Sequence, residues 1–417
     1  MKKNLKIMCV NAGSSSLKFK LFLVDEKVES VTKIIDKSKY LVPLTSGNVE
    51  RIGHQDAIFT IKKGDEKKEE IKPILNHAEA VKLVLDNLIS FGIVSSLSEI
   101  GGVGHRIVQG GSYFSASHIL DKDTENKIAE LIPLDPLHAE AHLTCFHAFK
   151  DALPSNVKHV AVFDTAYHQS MEADEYMYAL PYEYYEKYKV RKYGAHGTSH
   201  NYLALVSTEK YLKNKKNVNI ITCHIGSGAS LAAIKNGKVV STSMGLTPLA
   251  GVMMGTRTGD IDASCMSYLC KCLNVSAEEM FSIFNHKSGL LGISGVSNDT
   301  RDIEEAVKKN NDRAILASKM FARYIADYIM MYYGKLDGKV DLIVCSAGVF
   351  ENSSYYREKT FELLKKSLGI KINKTLNKQM VKGNEGIISD SDSSIPVVVL
   401  PTNEELMIAL DTLNFVK

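Results

Sequence analysis

A pattern of strand, Gly/Ser loop, strand, turn and strand occurs twice in this chain, about half a chain apart. In the first copy an apolar run over residues 5–10 leads into the turn at 11–16 and then into an alternating strand over 17–24. In the second copy an apolar run over 218–222 leads into a Gly/Ser turn, and Asn236-Gly237 separates the two strands that follow. Asn-Gly between strand-like runs is a strong hairpin signal, because both residues tolerate positive φ. The repeat predicts a duplicated architecture in which two phosphate-sized loops face a common cleft.

Helical patterns occupy the stretches between the strands. Apolar residues at 81, 84, 85 and 88 recur with the period of a helix. A longer helical stretch over 314–333 is expected to end at Gly334 as its C-cap. A predicted buried strand at 340–345, a glycine turn at 346–350 and another helix follow, which is a common layout for a nucleotide site because a helix N-terminus offers free N–H groups. The predicted fold class is α/β, with a domain break near residue 160.

Composition excludes several classes of protein. The 417 residues, 45% of them hydrophobic, suffice for two domains with full cores. The net charge is only +3 and no basic stripe is interleaved with aromatic side chains, which argues against a nucleic-acid partner. No apolar run approaches the roughly 20 residues of a membrane span, and the run behind the basic N-terminus is too short for a secretory signal. The seven cysteines lack zinc-site spacing, as expected of reduced thiols in a cytosolic protein.

The turn at 11–16 is the first candidate for binding an anion. A glycine turn lets backbone N–H groups converge on an anion, and Lys18 would add a full positive charge. Taken alone, the stretch is more typical of a serine-rich hairpin, because Ser and Gly are common turn formers. No Walker A pattern occurs in the sequence, so the turn does not belong to that class of phosphate-binding loop.

Three charged residues stand at the ends of predicted strands or helices. Arg106 lies between a strand end and a glycine pair, where it could clamp a carboxylate or phosphate or form a surface ion pair. Asp164 directly follows an apolar strand, where α/β active sites gather, although a helix N-cap also explains an aspartate there. Glu404 begins the last predicted helix, where a carboxylate is electrostatically normal. Each residue therefore has a structural as well as a chemical interpretation.

Further stretches place charged or titratable side chains near glycines or a helix start. His196 lies between two glycines, which leaves room for a ligand, although a lone histidine is more often structural. Arg257 has similar glycine-rich surroundings, and Asp299 is predicted to cap a helix with Arg301 directed at a phosphate or at solvent. Together with the residues above, they form the set expected for Mg²⁺-dependent phosphoryl transfer, which works by positioning and charge neutralisation.

Ten segments resemble the acetate kinase (acetokinase) family, in the family's order and along nearly the whole chain. They are NAGSSSLKF, GHRIV with its glycine pair, PLH, FDTAYH, YGAHGTSH, HIGSGAS, TSMGLTPL, MMGTRTGDID, DTRDI and PTNEELMIA. The resemblance implies duplicated ribonuclease H-like (actin-like ATPase) domains, each a mixed β-sheet flanked by helices, with an interdomain cleft. We expect the first domain to span 1–160, completed by a C-terminal helix at 402–417, and the second to span 161–401.

The resemblance also implies an activity. It is the reversible, Mg²⁺-dependent, in-line transfer of the ATP γ-phosphoryl group to acetate, giving acetyl phosphate and ADP. Mn²⁺ is expected to substitute for Mg²⁺. The implied protein is a cytoplasmic homodimer that binds a short carboxylate and ATP, without a membrane or nucleic-acid partner.

The same resemblance assigns roles to individual positions. Metal binding, directly or through water, falls to Asn11 and Glu404. Catalytic roles fall to Asp164, His196, Arg257 and Arg106, of which His196 and Arg257 stabilise the transferring phosphoryl group. Binding of the acid falls to Arg106, Val108, Leu137, Pro248 and Ala195. Nucleotide binding falls to Lys18, His224, Ile225, Gly226, Ser227, Gly228, Asp299, Thr300, Arg301, Gly348, Val349, Phe350, Glu351 and Asn352.

One implied role conflicts with elementary acid chemistry. The family's counterpart of Asp164 is a proposed acid or base. A free carboxylic acid has a pKa of about 4 and is already ionised at neutral pH, so acetate needs no base. We therefore expect Asp164 to position the metal or its waters.

Of the residues that depart from the family pattern, two bear on the choice of substrate. Phe350 replaces a glycine in a turn expected near adenosine, where glycine usually signals positive φ or a close approach. Phe350 would narrow that pocket and change the donor to pyrophosphate or another nucleotide, unless its ring points away. Ala195 replaces a phenylalanine and should enlarge the acyl pocket. Because each buried CH₂ is worth about 0.8 kcal/mol, propionate is expected to compete with acetate.

Three rival classes compete with this assignment, and one of them, a sugar kinase of the same superfamily, fits poorly because the short-acid pocket residues match the acetate kinase family. A propionate or butyrate kinase is the nearest enzymatic rival. A non-catalytic nucleotide-binding protein would be expected to lack the arginines and the aspartate, whereas Arg106, Arg257 and Asp164 are all present.

Overall fold

A computed structural model of the chain describes residues 5–135 and 138–416. The chain divides into two compact units. The first comprises Met1–Tyr167 together with Asn403–Lys417, and the second comprises His168–Thr402.

The first unit is built on an eight-stranded mixed sheet. Its strands are β1 (Lys6–Gly13), β2 (Ser16–Val24), β3 (Leu41–Glu50), β4 (His54–Lys63), β5 (Glu66–Ile74), β6 (Ile100–Ile107), β7 (His118–Ile119) and β8 (Lys158–Phe163). They lie in the order β5-β4-β3-β2-β1-β6-β8-β7. Strands β1 to β5 form an antiparallel meander, whereas β6 runs parallel to both β1 and β8. The mixed-charge stretch at 62–72 lies in the β4–β5 hairpin.

Helices cover both faces of this sheet. They are α1 (Ile34–Ser38), α2 (His77–Ser90), α3 (Lys122–Glu130), α4 (Ala139–Ala152) and α16 (Glu404–Val416). Side chains alternate between the faces of a strand. Val103 therefore faces the core formed with α2 and α4, whereas Gly102 and Gly104 face α16. A Cβ atom added at Gly104 would lie 2.3 Å from the Thr412 hydroxyl, so the glycine allows α16 to approach the sheet closely.

The second unit is built on a six-stranded mixed sheet. Its strands are β9 (Asn219–Ile225), β10 (Ala229–Lys235), β11 (Lys238–Thr242), β12 (Leu342–Ser346), β13 (Gly386–Ile387) and β14 (Val397–Val399), in the order β11-β10-β9-β12-β14-β13. Asn236 and Gly237 join β10 to β11 with φ values of 54° and 78°. Both angles are positive, as the Asn-Gly hairpin signal predicted.

Eleven helices are described in the second unit. They are α5 (Ala173–Tyr176), α6 (Tyr182–Tyr188), α7 (Gly197–Lys210), α8 (Ala263–Leu273), α9 (Ala277–His286), α10 (Gly289–Ser294), α11 (Thr300–Lys308), α12 (Asp312–Lys335), α13 (Ala347–Asn352), α14 (Ser354–Leu368) and α15 (Lys374–Gln379). Helix α12 buries an apolar stripe that includes Phe321, Ile325 and Ile329 against the core. The apolar spacing of this helix is what made it visible in the sequence.

The two sheets share one topology. In each, an antiparallel three-stranded meander is followed by two parallel strands, in the orders β3-β2-β1-β6-β8 and β11-β10-β9-β12-β14. A short antiparallel strand then closes the edge, β7 in the first unit and β13 in the second. The predicted α/β class, with a mixed sheet flanked by helices in each half, is confirmed.

Two local predictions were wrong. Gly334 does not end its helix, because α12 continues to Lys335 and the left-handed residue that follows is Asp337, with φ of 58°. Residues 347–350 do not form a turn, since they lie in helix α13, whose first residue Ala347 has φ of 66°. At the second place the left-handed conformation falls on Ala347, directly before Gly348, whereas at the first it falls on Asp337, three residues after Gly334. No helix in the described part of the chain has the length and apolar character needed to cross a lipid bilayer.

Candidate active site

Three polar residues of the first unit meet at the carboxyl ends of neighbouring parallel strands. Arg106 lies near the end of β6, Asn11 lies near the end of β1, and Asp164 directly follows β8. Arg106 Nε donates to Asp164 Oδ1 at 3.0 Å, and its Nη2 donates to Oδ2 at 2.6 Å. Its Nη1 donates to Asn11 Oδ1 at 3.3 Å. Asp164 has no exposed surface, so this is a two-point ion pair with one partner fully buried.

The electrostatics around Arg106 favour the charged form of its guanidinium. Burial opposes this charge, but the carboxylates of Asp164, Glu404 and Asp135 together outweigh burial and raise the pKa of the guanidinium above its usual value. Because Asp164 uses the Nε–Nη2 edge of the guanidinium, the Nη1–Nη2 edge faces elsewhere and retains N–H donors. That second edge has the geometry to donate hydrogen bonds to a substrate carboxylate.

Glu404, the first residue of α16, brings an uncompensated carboxyl group to the same region. Its Oε1 is buried and accepts no hydrogen bond from the described part of the chain. Burial raises the pKa of Glu404 to about 7, helped by the Asp164 and Glu405 carboxylates and opposed by Arg106 and Lys18. A buried carboxylate oxygen without a donor is a position where a cation would restore balance.

A cavity of about 320 Å³ joins these groups. Its lining includes Asn11, Lys18, Arg106 and Glu404. No group of three or more His, Cys, Asp or Glu side chains able to hold a metal occurs in the described residues. One carboxylate and one amide oxygen are nevertheless the donor set that Mg²⁺ uses when phosphate and water supply the remaining ligands. The residues present therefore fit a divalent metal held jointly with a phosphate-bearing ligand.

Two acyl-pocket predictions concern this unit. Val108 follows β6 directly and is buried. Leu137 lies outside the described residues.

In the second unit, His196 stands at the start of α7 in a left-handed conformation. Its φ is 58°, an uncommon value for a non-glycine residue and one found at many functional sites. His196 Nδ1 lies 2.8 Å from the Ser230 hydroxyl. The ring stacks on His224 with centroids 4.1 Å apart, and His224 Nδ1 lies 2.8 Å from the Ser199 hydroxyl. The imidazole of His196 is thus held from two sides.

Gly228 brings His196 and Arg257 into one small volume. A Cβ atom added at Gly228 would lie 3.7 Å from both Arg257 Nη1 and His196 Cε1. Arg257 Nη1 also donates to the Pro248 carbonyl at 3.3 Å. The Arg257 guanidinium and the His196 imidazole therefore both lie beside the glycine of the second loop, which is a suitable arrangement for a phosphoryl group.

Ala195 lies just before His196 but takes part in the core. Its side chain is 2% exposed and packs in the apolar cluster of the second unit. Its carbonyl accepts a hydrogen bond from His168 Nε2 at 2.9 Å.

A cavity of about 510 Å³ in the second unit has the size of a nucleotide site. Eight predicted nucleotide-binding residues line it, namely Gly226, Ser227, Asp299, Thr300, Arg301, Gly348, Val349 and Asn352. The lining also includes residues that the sequence did not single out, namely Gly255, Leu290, Asn298, Glu304 and Ser353. Gly255 could have been suspected from the sequence, because it begins the GTRTG stretch. In the structure its N–H donates to the Ser227 carbonyl at 3.0 Å. The others carry no local signal.

Phe350 does not line this cavity. It lies in α13, has no exposed surface and packs in the core of the second unit. The positive φ expected at this turn falls on Ala347, and Gly348 faces open space. Phe350 therefore does not occupy a left-handed turn position, and its ring points away from this cavity, which is the alternative that the sequence left open.

Three further predicted nucleotide residues have other surroundings, and Arg301 makes an additional contact. Glu351 accepts hydrogen bonds from the backbone N–H groups of Ala347 at 2.7 Å and Thr402 at 3.1 Å, so it braces the loop. Ile225 is fully buried. Lys18 lines the cavity of the first unit. Arg301 lines the nucleotide-sized cavity with a highly exposed side chain that pairs with Asp299 at 2.5 Å.

Comparison with known proteins gives one consistent family. The family model described as the acetokinase family matches residues 6–410. An acetate kinase of Geobacillus kaustophilus is 46% identical over 409 residues, covering 98% of each chain. An acetate kinase of Bacillus subtilis is 46% identical over 412 residues, covering 99% of this chain and all of the other.

Solved structures agree with the sequence relatives. An acetate kinase from Porphyromonas gingivalis has a TM-score of 0.88 at 39% identity, covering 99% of this chain and 100% of the other. A propionate kinase from Francisella tularensis has the same TM-score at 34% identity, covering 98% and 99%. The resemblance drawn from ten sequence segments is confirmed, and the chain belongs to the acetokinase family.

Proposed function

We propose that this protein is an acetate kinase that transfers the γ-phosphoryl group of ATP to acetate, reversibly and with Mg²⁺, giving acetyl phosphate and ADP. Acetokinases use ATP or ADP with a divalent metal. The observation that carries the proposal is the arrangement around Arg106, which is anchored by buried Asp164 on one edge and lines a cavity with Asn11, Lys18 and Glu404.

Asn11 and Glu404 are proposed to hold the metal. When bound there, Mg²⁺ supplies charge neutralisation for the phosphate oxygens of the nucleotide. Glu404 must be ionised to act as a ligand, and its raised pKa makes that ionisation dependent on pH near neutrality. Mn²⁺ prefers similar oxygen ligands and is proposed as a substitute.

Arg106 is proposed to bind the acetate carboxylate through its Nη1–Nη2 edge. Asp164 holds the other edge with both of its oxygens, which fixes the direction of the fork. Acetate arrives ionised and needs no base. Asp164 therefore acts chiefly by orienting Arg106, a role that differs from the metal positioning expected from the sequence.

His196 and Arg257 are proposed to stabilise the phosphoryl group in flight. The charge of that group is spread over three equatorial oxygens, so donors fixed in advance lower the barrier. Gly228 adds no side chain in the volume that the two residues share. Lys18 would add positive charge for a phosphate group.

ATP is the proposed donor because Phe350, the residue that raised doubt, lies in the core and not in the 510 Å³ cavity. The loop Gly226–Gly228, the start of α11 and the start of α13 are proposed to bind the nucleotide. We also propose a cytoplasmic homodimer, as the family resemblance implies. Light scattering coupled to gel filtration would test the dimer.

The experiment is hydroxamate trapping of acetyl phosphate from acetate and Mg²⁺, with ATP, GTP and pyrophosphate compared as donors. A strong ATP-dependent signal is expected. A signal with pyrophosphate alone would refute the proposed donor. Silence with all three donors, in protein whose melting is cooperative, would refute the proposed function.

Propionate is the second candidate acceptor. Ala195 stands where the family has phenylalanine, and the chain also resembles a solved propionate kinase. We expect kcat/KM for propionate to lie within two orders of magnitude of that for acetate. A larger preference for acetate would mean that the Ala195 site adds no acyl space, in keeping with its burial in the core.

A further inference from the structure

Four polar side chains share one interface between a helix and a sheet in the second unit. Thr222 on β9 and Ser230 on β10 point to the same face, because Ser230 pairs with His224 across the ladder and His224 lies two residues after Thr222. His196 and His200 lie four residues apart at the start of α7, so they share one face of that helix.

These side chains form a continuous series of hydrogen bonds. His196 Nδ1 lies 2.8 Å from Ser230 Oγ, and His200 Nε2 lies 2.9 Å from the same oxygen. His200 Nδ1 lies 2.7 Å from Thr222 Oγ1. Thr222, His200 and Ser230 have no exposed surface. Bulk water does not reach these three residues, so every buried hydrogen in the series is expected to find an acceptor within the protein.

Counting hydrogens fixes the direction of the series. If Thr222 donates to His200 Nδ1, His200 Nε2–H donates to Ser230, and the Ser230 hydroxyl donates to His196 Nδ1, each hydrogen has an acceptor. In the reverse direction the Thr222 hydroxyl must donate elsewhere, and the described residues offer it no other acceptor. If both histidines donated to Ser230, the Ser230 hydroxyl hydrogen would likewise have no acceptor. Leaving a buried donor without an acceptor costs far more free energy than leaving an oxygen lone pair unused.

The surroundings of His200 also favour a neutral ring. Burial, with the neighbouring His168 and His224 rings, holds the pKa of His200 well below its usual value. A neutral His200 with Thr222 donating to Nδ1 carries its one hydrogen on Nε2, facing Ser230.

We propose that Thr222, His200 and Ser230 are positioning residues that hold His196 as the Nε2–H tautomer, so that it offers a donor to the transferring phosphoryl group. The proposal rests on the proposed function. His196 Nε2 lies on the side of the ring that faces Gly228 and Arg257, since an added Cβ at Gly228 would lie 3.8 Å from it. A donor there attracts phosphoryl oxygens, whereas the lone pair of the other tautomer would repel them.

The first test reads the tautomer directly in the full chain without substrates. Histidine ¹⁵N spectra distinguish Nδ1–H from Nε2–H rings, and a His196→Gln spectrum identifies the His196 signals. We expect the Nε2–H pattern in the parent protein and a mixture of tautomers in Ser230→Ala. An Nδ1–H pattern in the parent, or an unchanged pattern in Ser230→Ala, would overturn the proposal.

The second test asks whether the remote end of the series affects the reaction. Thr222→Val removes the hydroxyl with little change of volume, and Thr222→Ser keeps it. We expect Thr222→Val to lower kcat by about tenfold, as the loss of one hydrogen bond predicts, with KM for acetate and ATP unchanged. Thr222→Ser should retain most of the parental kcat. Ser318→Ala on α12 is the matched control for loss of a buried hydroxyl and should match the parent.

The two tests distinguish failure of the proposed hydrogen-bond series from failure of the proposed function. If Thr222→Ser and Thr222→Val have the same kcat, and both melt at the parental temperature, the role proposed for the hydrogen-bond series is overturned. Acetate kinase activity would be unaffected by that result. A parental Nε2–H pattern that Ser230→Ala disrupts, in protein that makes no acetyl phosphate, would support the tautomer control and refute the proposed function.

Discussion

Replacing Asp164 by asparagine removes the negative charge that the Arg106 guanidinium faces and keeps the shape of the side chain. The carboxylate accepts hydrogen bonds at 3.0 and 2.6 Å, whereas an asparagine can accept through only one atom. Its amide N–H₂ would then confront an N–H of Arg106, and the guanidinium would swing away from its present direction. We expect losses of both stability and acetate binding.

The size of the stability loss follows from burial. Removing one partner of a buried ion pair costs about 3–5 kcal/mol. Asp164 is fully buried but the Arg106 side chain is 18% exposed, so partial hydration places the cost near the lower end, about 3 kcal/mol. For a unit of this size, each kcal/mol shifts the melting temperature by about 2–4 °C, which gives a fall of about 6–12 °C.

Differential scanning calorimetry at neutral pH without ligands measures the shift, and initial rates measure KM for acetate and ATP. Asp36→Asn is the matched control, because Asp36 pairs with Lys39 at 2.8 Å on the surface and exposed pairs contribute little. We expect Asp164→Asn to raise KM for acetate and to leave KM for ATP nearly unchanged. If Asp164→Asn has the same melting temperature as Asp36→Asn and an unchanged KM for acetate, then Asp164 does not hold Arg106 in place.

Three further predictions use other parts of the chain. Burial raises the pKa of Glu404 to about 7, and a metal needs the ionised carboxylate, so Mg²⁺ affinity should weaken about tenfold per pH unit below 7. Titrating the melting temperature with Mg²⁺ at pH 6 and at pH 8 measures this change. An equal change of affinity in Glu404→Gln would contradict the prediction. Burial lowers the pKa of His142 to about 3 and of His159 to about 4, below the unfolded value of about 6.5. The contribution of these neutral rings to the free energy of unfolding is full above about pH 6.5 and is lost as the pH falls toward 4. The melting temperature should therefore fall between pH 7.5 and pH 5, and it should fall less in His142→Gln. Phe350→Ala should lower the free energy of unfolding by about 3–5 kcal/mol through the cavity it creates, with donor preference unchanged; a switch of donor in the hydroxamate assay would return Phe350 to the nucleotide site.

The sequence was a good guide at the β10–β11 hairpin. Asn236-Gly237 specified a hairpin because only residues tolerant of positive φ suit that turn. It was a poorer guide at residues 347–350, where glycine was taken to mark the turn. There the surrounding core dictates the backbone, and Ala347 accepts the strained angle while Phe350 fills the core.

Residues that act through tertiary contacts gave little or no sequence signal. Ser230 and Thr222 look like ordinary strand residues, and only the packing of α7 on β9 and β10 brings them to His196 and His200. Asn298 and Ser353 join the nucleotide-sized cavity from segments far apart in the chain. The roles of these residues, like those implied by the family resemblance, remain predictions for the assays above.

The sequence by itself determined the repeated strand pattern, the α/β class and the family, because periodicity and glycine turns are local properties and the ten family segments can be read in order. Only the tertiary structure decided that Asp164 uses both oxygens on Arg106, that Glu404 carries a buried oxygen without a donor, and that Phe350 lies in the core. The physical reason is that burial, pKa and hydrogen-bond direction depend on which distant residues surround a group, and a linear sequence does not state its neighbours.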